Sequence, residues 1–85
     1  MIRYYKSNGN FNITTVDGPT ISITTDQIVQ VREANIFYEV GPNQYVTKVR
    51  EYIRIFVTQD FETSITTEYE WFEANYIGNF RPFTP

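Results

Sequence analysis

Leucine, cysteine and histidine are all missing from this chain, and alanine occurs only at Ala34 and Ala74. Without cysteine there is no disulfide, and without cysteine or histidine the usual sulfur and nitrogen ligands of zinc are absent. The same two absences exclude the Ser-His-Asp and Cys-His arrangements of nucleophilic catalysis. The four glycines stand apart at Gly9, Gly18, Gly41 and Gly78, so there is no Gly-rich phosphate loop. Charge of neither sign dominates: seven basic and ten acidic residues give −3. Such a chain has no net attraction for phosphate backbones or anionic lipid. No apolar run approaches the length of a membrane span. Met1–Lys6 lacks an apolar core followed by small residues, so the expectation is a protein without a signal peptide, cytoplasmic or virion-associated. The lack of cysteine fits a reducing compartment.

What is present is strand-forming. Thr, Ile, Val, Tyr, Phe and Trp make up 43 of the 85 residues. β-Branched and aromatic side chains lose rotamer freedom on a helix and pack well on a pleated surface. A chain of this length forms one domain that buries only about 60–65% of its unfolded surface. Further stability has to come from aromatic packing or from association.

Ile2–Lys6 reads as a first strand, and Ser7-Asn8-Gly9-Asn10 carries the Asn-Gly signal of a hairpin turn. Phe11–Val16 alternates, Asp17-Gly18-Pro19 breaks it, and Thr20–Thr24 alternates again. Thr25-Asp26 makes a tight connection to a fourth strand, Ile28–Glu33. Ile36–Val40 and Gln44–Val57 flank Gly41-Pro42-Asn43, where proline presets the first turn position and asparagine tolerates the second, which predicts a hairpin. In the long second arm the odd positions carry most aliphatics, so Val49, Ile53, Ile55 and Val57 are expected in the core. Glu51 interrupts that face and suggests a bend or bulge.

Residues 64–78 satisfy two patterns. As a strand, Ile65, Thr67, Tyr69 and Trp71 alternate inward. As a helix, Thr67-x-x-Glu70 is a capping box, Glu68 and Glu70 suit the positive end of the dipole, and Gly78 supplies a stop. Because start and stop agree, a short helix from about Glu68 to Tyr76 is predicted, which turns Trp71 away from the Tyr69, Phe72 and Tyr76 stripe. The expected architecture is mainly β: a small single-domain antiparallel sheet or barrel of five to six strands over residues 1–78, with a short C-terminal helix and an extended tail over residues 79–85. An all-β sandwich is the alternative.

Enzyme chemistry has little to work with. Glu68, Glu70 and Glu73 are close in sequence, but a glycosidase-type pair needs a substrate cleft, and a solvated helix start explains them without one. Asn12-Ile13-Thr14 matches the glycosylation sequon and reads as an ordinary polar strand face. Asp17, Asp26 and Asp60 lie in separate turns and do not make a calcium loop. No cofactor and no metal is expected. Fifteen aromatics exceed what one small core encloses, and aromatics anchor interfaces. Trp71, Phe80, Arg81 and Phe83 are therefore the candidate interaction residues, with Trp71 expected to be buried only against another chain. Lys48, Arg50, Tyr52, Arg54 and Phe56 form a possible second face that mixes cations and aromatics. The leading expectation is a non-catalytic structural or interaction subunit, its partner protein being itself or a larger assembly such as a virion. The alternatives are a small phage-type inhibitor or ligand-sequestering protein, and a nucleic-acid-binding small β-barrel, which the net charge disfavours.

Overall fold

The computed structural model describes residues 1–16, 18–57 and 67–85. The β-branched and aromatic runs become strands β1 (Ile2–Ser7), β2 (Phe11–Thr14), β3 (Thr20–Ile23), β4 (Ile28–Gly41), β5 (Gln44–Ile55), β6 (Tyr69–Glu70) and β7 (Phe80–Pro82). Among the described residues they make two antiparallel sheets, one in the order β6-β5-β4-β1-β7 and the other β2-β3. Short 3-10 turns at Glu73–Asn75 and Ile77–Asn79 are the helical segments of the described chain.

The core lies between the two sheets at one end of the molecule. Alternation along β4 and β5 points Val29, Val31, Ile53 and Ile55 to one face, where Val29 opposes Ile55 and Val31 opposes Ile53. Ile13 and Ile23 of the small sheet close over them, and Tyr5, Trp71 and Phe80 complete the buried cluster. The Trp71 ring stacks on Tyr76 at 5.8 Å and meets Phe80 edge-on at 5.9 Å. Buried Ser7 ties the layers together. Its hydroxyl donates to the Thr24 carbonyl and accepts the Gln27 amide at 3.0 Å, and its own carbonyl accepts the Asp26 amide at 3.0 Å. No polar atom of Ser7 is left to desolvate without a partner.

Several expectations are corrected. Among the described residues the sheet is open, with β6 and β7 as its edges, and does not close into a barrel. Ser7–Asn10 is not a hairpin turn. Both edges of β1 are taken, by β4 and β7, so the chain leaves this sheet and starts the other. The expected fourth strand and the arm after it are one continuous strand, β4. Glu51 causes no bulge and opposes Glu33 in an unbroken ladder; the register shift falls between Glu39 and Gly41.

The helix expected from Glu68 to Tyr76 does not form. Tyr69–Glu70 pairs with β5 instead, and the Trp71 amide donates to the Glu51 carbonyl at 3.1 Å. An N-terminal cap contributes about 1 kcal/mol. Burying one Phe-sized side chain contributes about 1.5–3 kcal/mol. The extended course wins because it sends Glu68 and Glu70 to arginines while Trp71 enters the core. Of the expected extended tail, Phe80–Pro82 pairs with β1 as β7, and its Phe80 is buried against Phe11 at 5.2 Å. The inward strand position of Ile65 and the turn roles of Asp17 and Asp60 lie outside the described residues.

Candidate interaction surface

The β4–β5 hairpin outgrows the sheet that supports it. β1 pairs with β4 only as far as Arg32, and β6 pairs with β5 only at Tyr52 and Ile53. Beyond these points, among the described residues, Glu33–Gly41 and Gln44–Arg50 form ladder pairs only with each other, as a two-stranded ribbon; Glu51 at its root also receives the Trp71 amide. Pro42-Asn43 closes it, with Asn43 at φ 58, a left-handed value that asparagine tolerates. The ribbon makes the molecule long, with extents of 48 × 23 × 22 Å.

The two faces of the ribbon differ. The face continuing from the core carries Asn35, Phe37, Glu39, Tyr45, Thr47 and Val49. The opposite face carries Ala34, Ile36, Tyr38, Val46, Lys48 and Arg50. Phe37 is 72% exposed and Tyr45 64%; Tyr38, Val40, Val46 and Val49 are exposed as well. Scattered single hydrophobes are ordinary on a protein surface, but a continuous ribbon of them marks a contact site. Among the described residues neither Glu39 nor Lys48 has an ion-pair partner.

A polar cluster closes the core where the ribbon begins. Arg3 grips the buried Glu73 carboxylate with both terminal nitrogens, at 2.9 and 2.6 Å, and reaches Glu33 at 3.1 Å. Tyr5 donates to the same Glu73 carboxylate at 2.9 Å, and burial followed by that bond pushes its phenol up. Glu51 accepts the Glu73 amide at 2.8 Å. This accounts for a charged residue on the core face of β5.

The sequence-derived candidates are scattered. Trp71 is 1% exposed and Phe80 7%, both within the core of a single chain, so the expectation that Trp71 is covered only by another chain is corrected. Arg81 is exposed but bound at home: it donates to the Ser7 carbonyl and to Asn8, and pairs with Asp26. Phe83 is half-buried with Lys6 4.9 Å above its ring.

On the second candidate face the cations are matched by acids. Arg32 and Arg54 converge on Glu68, and Arg50 lies 3.6 Å from Glu70. Hydrogen bonding from Arg32, with the charges of Arg32 and Arg54, holds the Glu68 carboxyl below the ordinary carboxylate range. Tyr52 lies under the Arg32 guanidinium at 4.5 Å, and Phe56 is buried. Of this set only Lys48 stands exposed, without a partner among the described residues.

Hollows among the described residues are small: one of about 240 Å³ at the root of the ribbon is lined by Lys48, Arg50, Glu51, Glu70 and Trp71, with Arg50 paired to Glu70 and Glu51 bound to the Glu73 amide. Another of about 390 Å³ between β1 and the C-terminal residues is lined by Ile2, Tyr4, Pro82 and Phe83, and its charged residue, Arg3, is already engaged with Glu73. Among the described residues no group of three acidic side chains is placed to hold a metal, and no helix is long and apolar enough to cross a membrane.

Phe37, Tyr38 and Tyr45 were not among the residues singled out from the sequence. A signal for them was present. Two long strands joined by a two-residue turn need supporting strands of similar length, and Ile2–Lys6 is far too short to supply one. Comparison with protein-family models, with curated proteins and with solved structures finds no match for this chain.

Proposed function

We propose that the chain is a non-catalytic structural or interaction subunit that acts through protein–protein contacts in a multi-copy assembly, such as a virion component. The observation that carries this reading is the unsupported β4–β5 ribbon, with aromatic and aliphatic side chains exposed on both faces. A ribbon whose outer edges are unpaired among the described residues, and which exposes apolar side chains, is a liability to an isolated chain and an asset to one that docks. Its anchors, Phe37, Tyr38 and Tyr45, belong to the types that dominate interface energetics.

Sedimentation velocity on the purified chain tests the reading. The parent is expected to sediment as several copies, and the Phe37→Ser/Tyr45→Ser double variant as one copy with an unchanged near-UV circular dichroism spectrum. A parent that stays monomeric across the accessible concentration range overturns the proposal. So does a folded double variant that keeps the mass of the parent assembly.

A further inference from the structure

We infer that the occupant of each ribbon is another copy of this chain, the core-side face of one ribbon lying on the opposite face of the next. This rests on the ribbon being the interaction surface proposed above. The argument is one of charge and area. Glu39 is the charged residue of the core-side face beyond Glu33 and Glu51, and it stands among Phe37, Tyr45 and Val49. The opposite face has Lys48 among Ile36, Tyr38 and Val46, and its Arg50 is matched by Glu70 of the same chain. Each face thus combines a comparable apolar strip with one unmatched charge, and the two charges are opposite in sign.

Joining like faces brings Glu39 to Glu39, or Lys48 to Lys48, within one desolvated contact, and like charges there are costly. Joining unlike faces brings Glu39 to Lys48. Glu39 lies on the rung with Tyr45 and Lys48 on the rung with Ile36, roughly 10 Å apart along the ribbon. Neighbouring ribbons with the same direction are therefore staggered by about that distance, so that the charges meet.

Area points the same way. From Ala34 to Gly41 the ribbon runs roughly 23 Å, and with a width of about 10 Å one face covers on the order of 230 Å². A stable two-body interface buries about 800 Å² on each partner. One face is too little for a lone pair, and an unlike-face contact is no larger, but its repetition closes into a ring in which every copy is held through both faces at once, roughly 460 Å² in all.

Charge reversal tests the arrangement. Sedimentation velocity is run on Glu39→Lys, Lys48→Glu, the Glu39→Lys/Lys48→Glu double variant, and an equal mixture of the two single variants. Each single variant alone is expected to lose about tenfold or more in association, because every contact then holds like charges. The double variant and the mixture are expected to recover it, because every contact again joins opposites. Single variants that keep the parent mass, or a double variant as dissociated as the singles, overturn the inference. If Phe37→Ser/Tyr45→Ser dissociates the assembly while charge reversal has neither effect, the ribbon stands as the interaction surface and the unlike-face stacking falls.

Discussion

Ile53 is fully buried, and Val49, four residues earlier on the same face of β5, is 54% exposed. Their side chains are alike in chemistry, so their substitution by alanine isolates position. Ile53→Ala is expected to cost about 2–4 kcal/mol in urea denaturation, enough to threaten a domain this small. Val49→Ala is expected to stay within about 0.5 kcal/mol of the parent. Gly18 is a different kind of residue-level constraint. A Cβ there would lie 2.7 Å from the Thr15 hydroxyl and 3.3 Å from the Tyr69 ring. Thr15 is buried and donates to the Pro19 carbonyl at 2.9 Å, so it has little freedom to yield. Gly18→Ala is expected to cost about 1–3 kcal/mol, read from the same denaturation curves. Glu68 supplies the pH dependence. Its carboxyl is held low in the folded chain by Arg32 and Arg54, so the unfolded chain binds its proton first as pH falls. Its contribution is complete above the unfolded value of about 4.3 and is lost as pH drops through the lower folded value. Glu68→Gln is expected to be about 1 kcal/mol less stable than the parent at neutral pH, with the gap closing in acid. A gap that persists unchanged in acid would mean the carboxylate charge is not what matters there.

At the scale of elements, the ribbon and the C-terminal strand are opposites. Replacing Ile36–Lys48 by Asn-Gly shortens the hairpin without touching Val29, Val31, Ile53 or Ile55, and Asn-Gly is suited to a two-residue turn. Chemical denaturation is expected to give a stability within about 1 kcal/mol of the parent, since the deleted side chains bury little. Strand β7 is short, yet Phe80 packs on Tyr5, Phe11 and Trp71. Phe80→Ala is expected to cost about 3–5 kcal/mol. The contrast shows which parts of the architecture were legible in the sequence. Pro42-Asn43 was, because turn chemistry is local and the residues act through their own backbone preferences. The strand content was, because β-branching acts residue by residue. The extent of the core was not. Val49 and Val57 continue the same alternation as Ile53 and Ile55 in the sequence, yet both are exposed, Val49 beyond the last rung at which β6 flanks β5 and Val57 past the end of the strand. The course of Glu68–Tyr76 was hidden for the same reason. Its capping box is a local signal, whereas the arginines that claim Glu68 and Glu70 come from β4 and β5. The burial of the aromatics was hidden too: Trp71 and Phe80 pack inward, whereas Phe37 and Tyr45 of the hairpin are largely exposed.

For the molecule as a whole, an 85-residue chain folded compactly has a radius of gyration of about 12 Å. The Cα radius here is 14.6 Å. The excess comes from a ribbon that adds length without adding core, because side chains on both of its faces meet solvent rather than one another. A two-stranded ribbon has little stability of its own in water. This one is held by its root, where β4 and β5 pass between β1 and β6 and where Arg3, Glu33, Glu51 and Glu73 close the end of the core. The ribbon is thus an extension of the sheet and not a loop, and it is expected to keep its direction in solution. Small-angle X-ray scattering on the Phe37→Ser/Tyr45→Ser chain, which is expected to be monomeric, measures this directly. A radius clearly above the compact value is expected, falling towards about 12 Å when Ile36–Lys48 is replaced by Asn-Gly. A compact radius for the full-length monomer, unchanged by the shortening, would mean that the hairpin folds back over its own domain. Phe37 and Tyr45 would then be covered by their own chain, with no apolar face left to offer a neighbour.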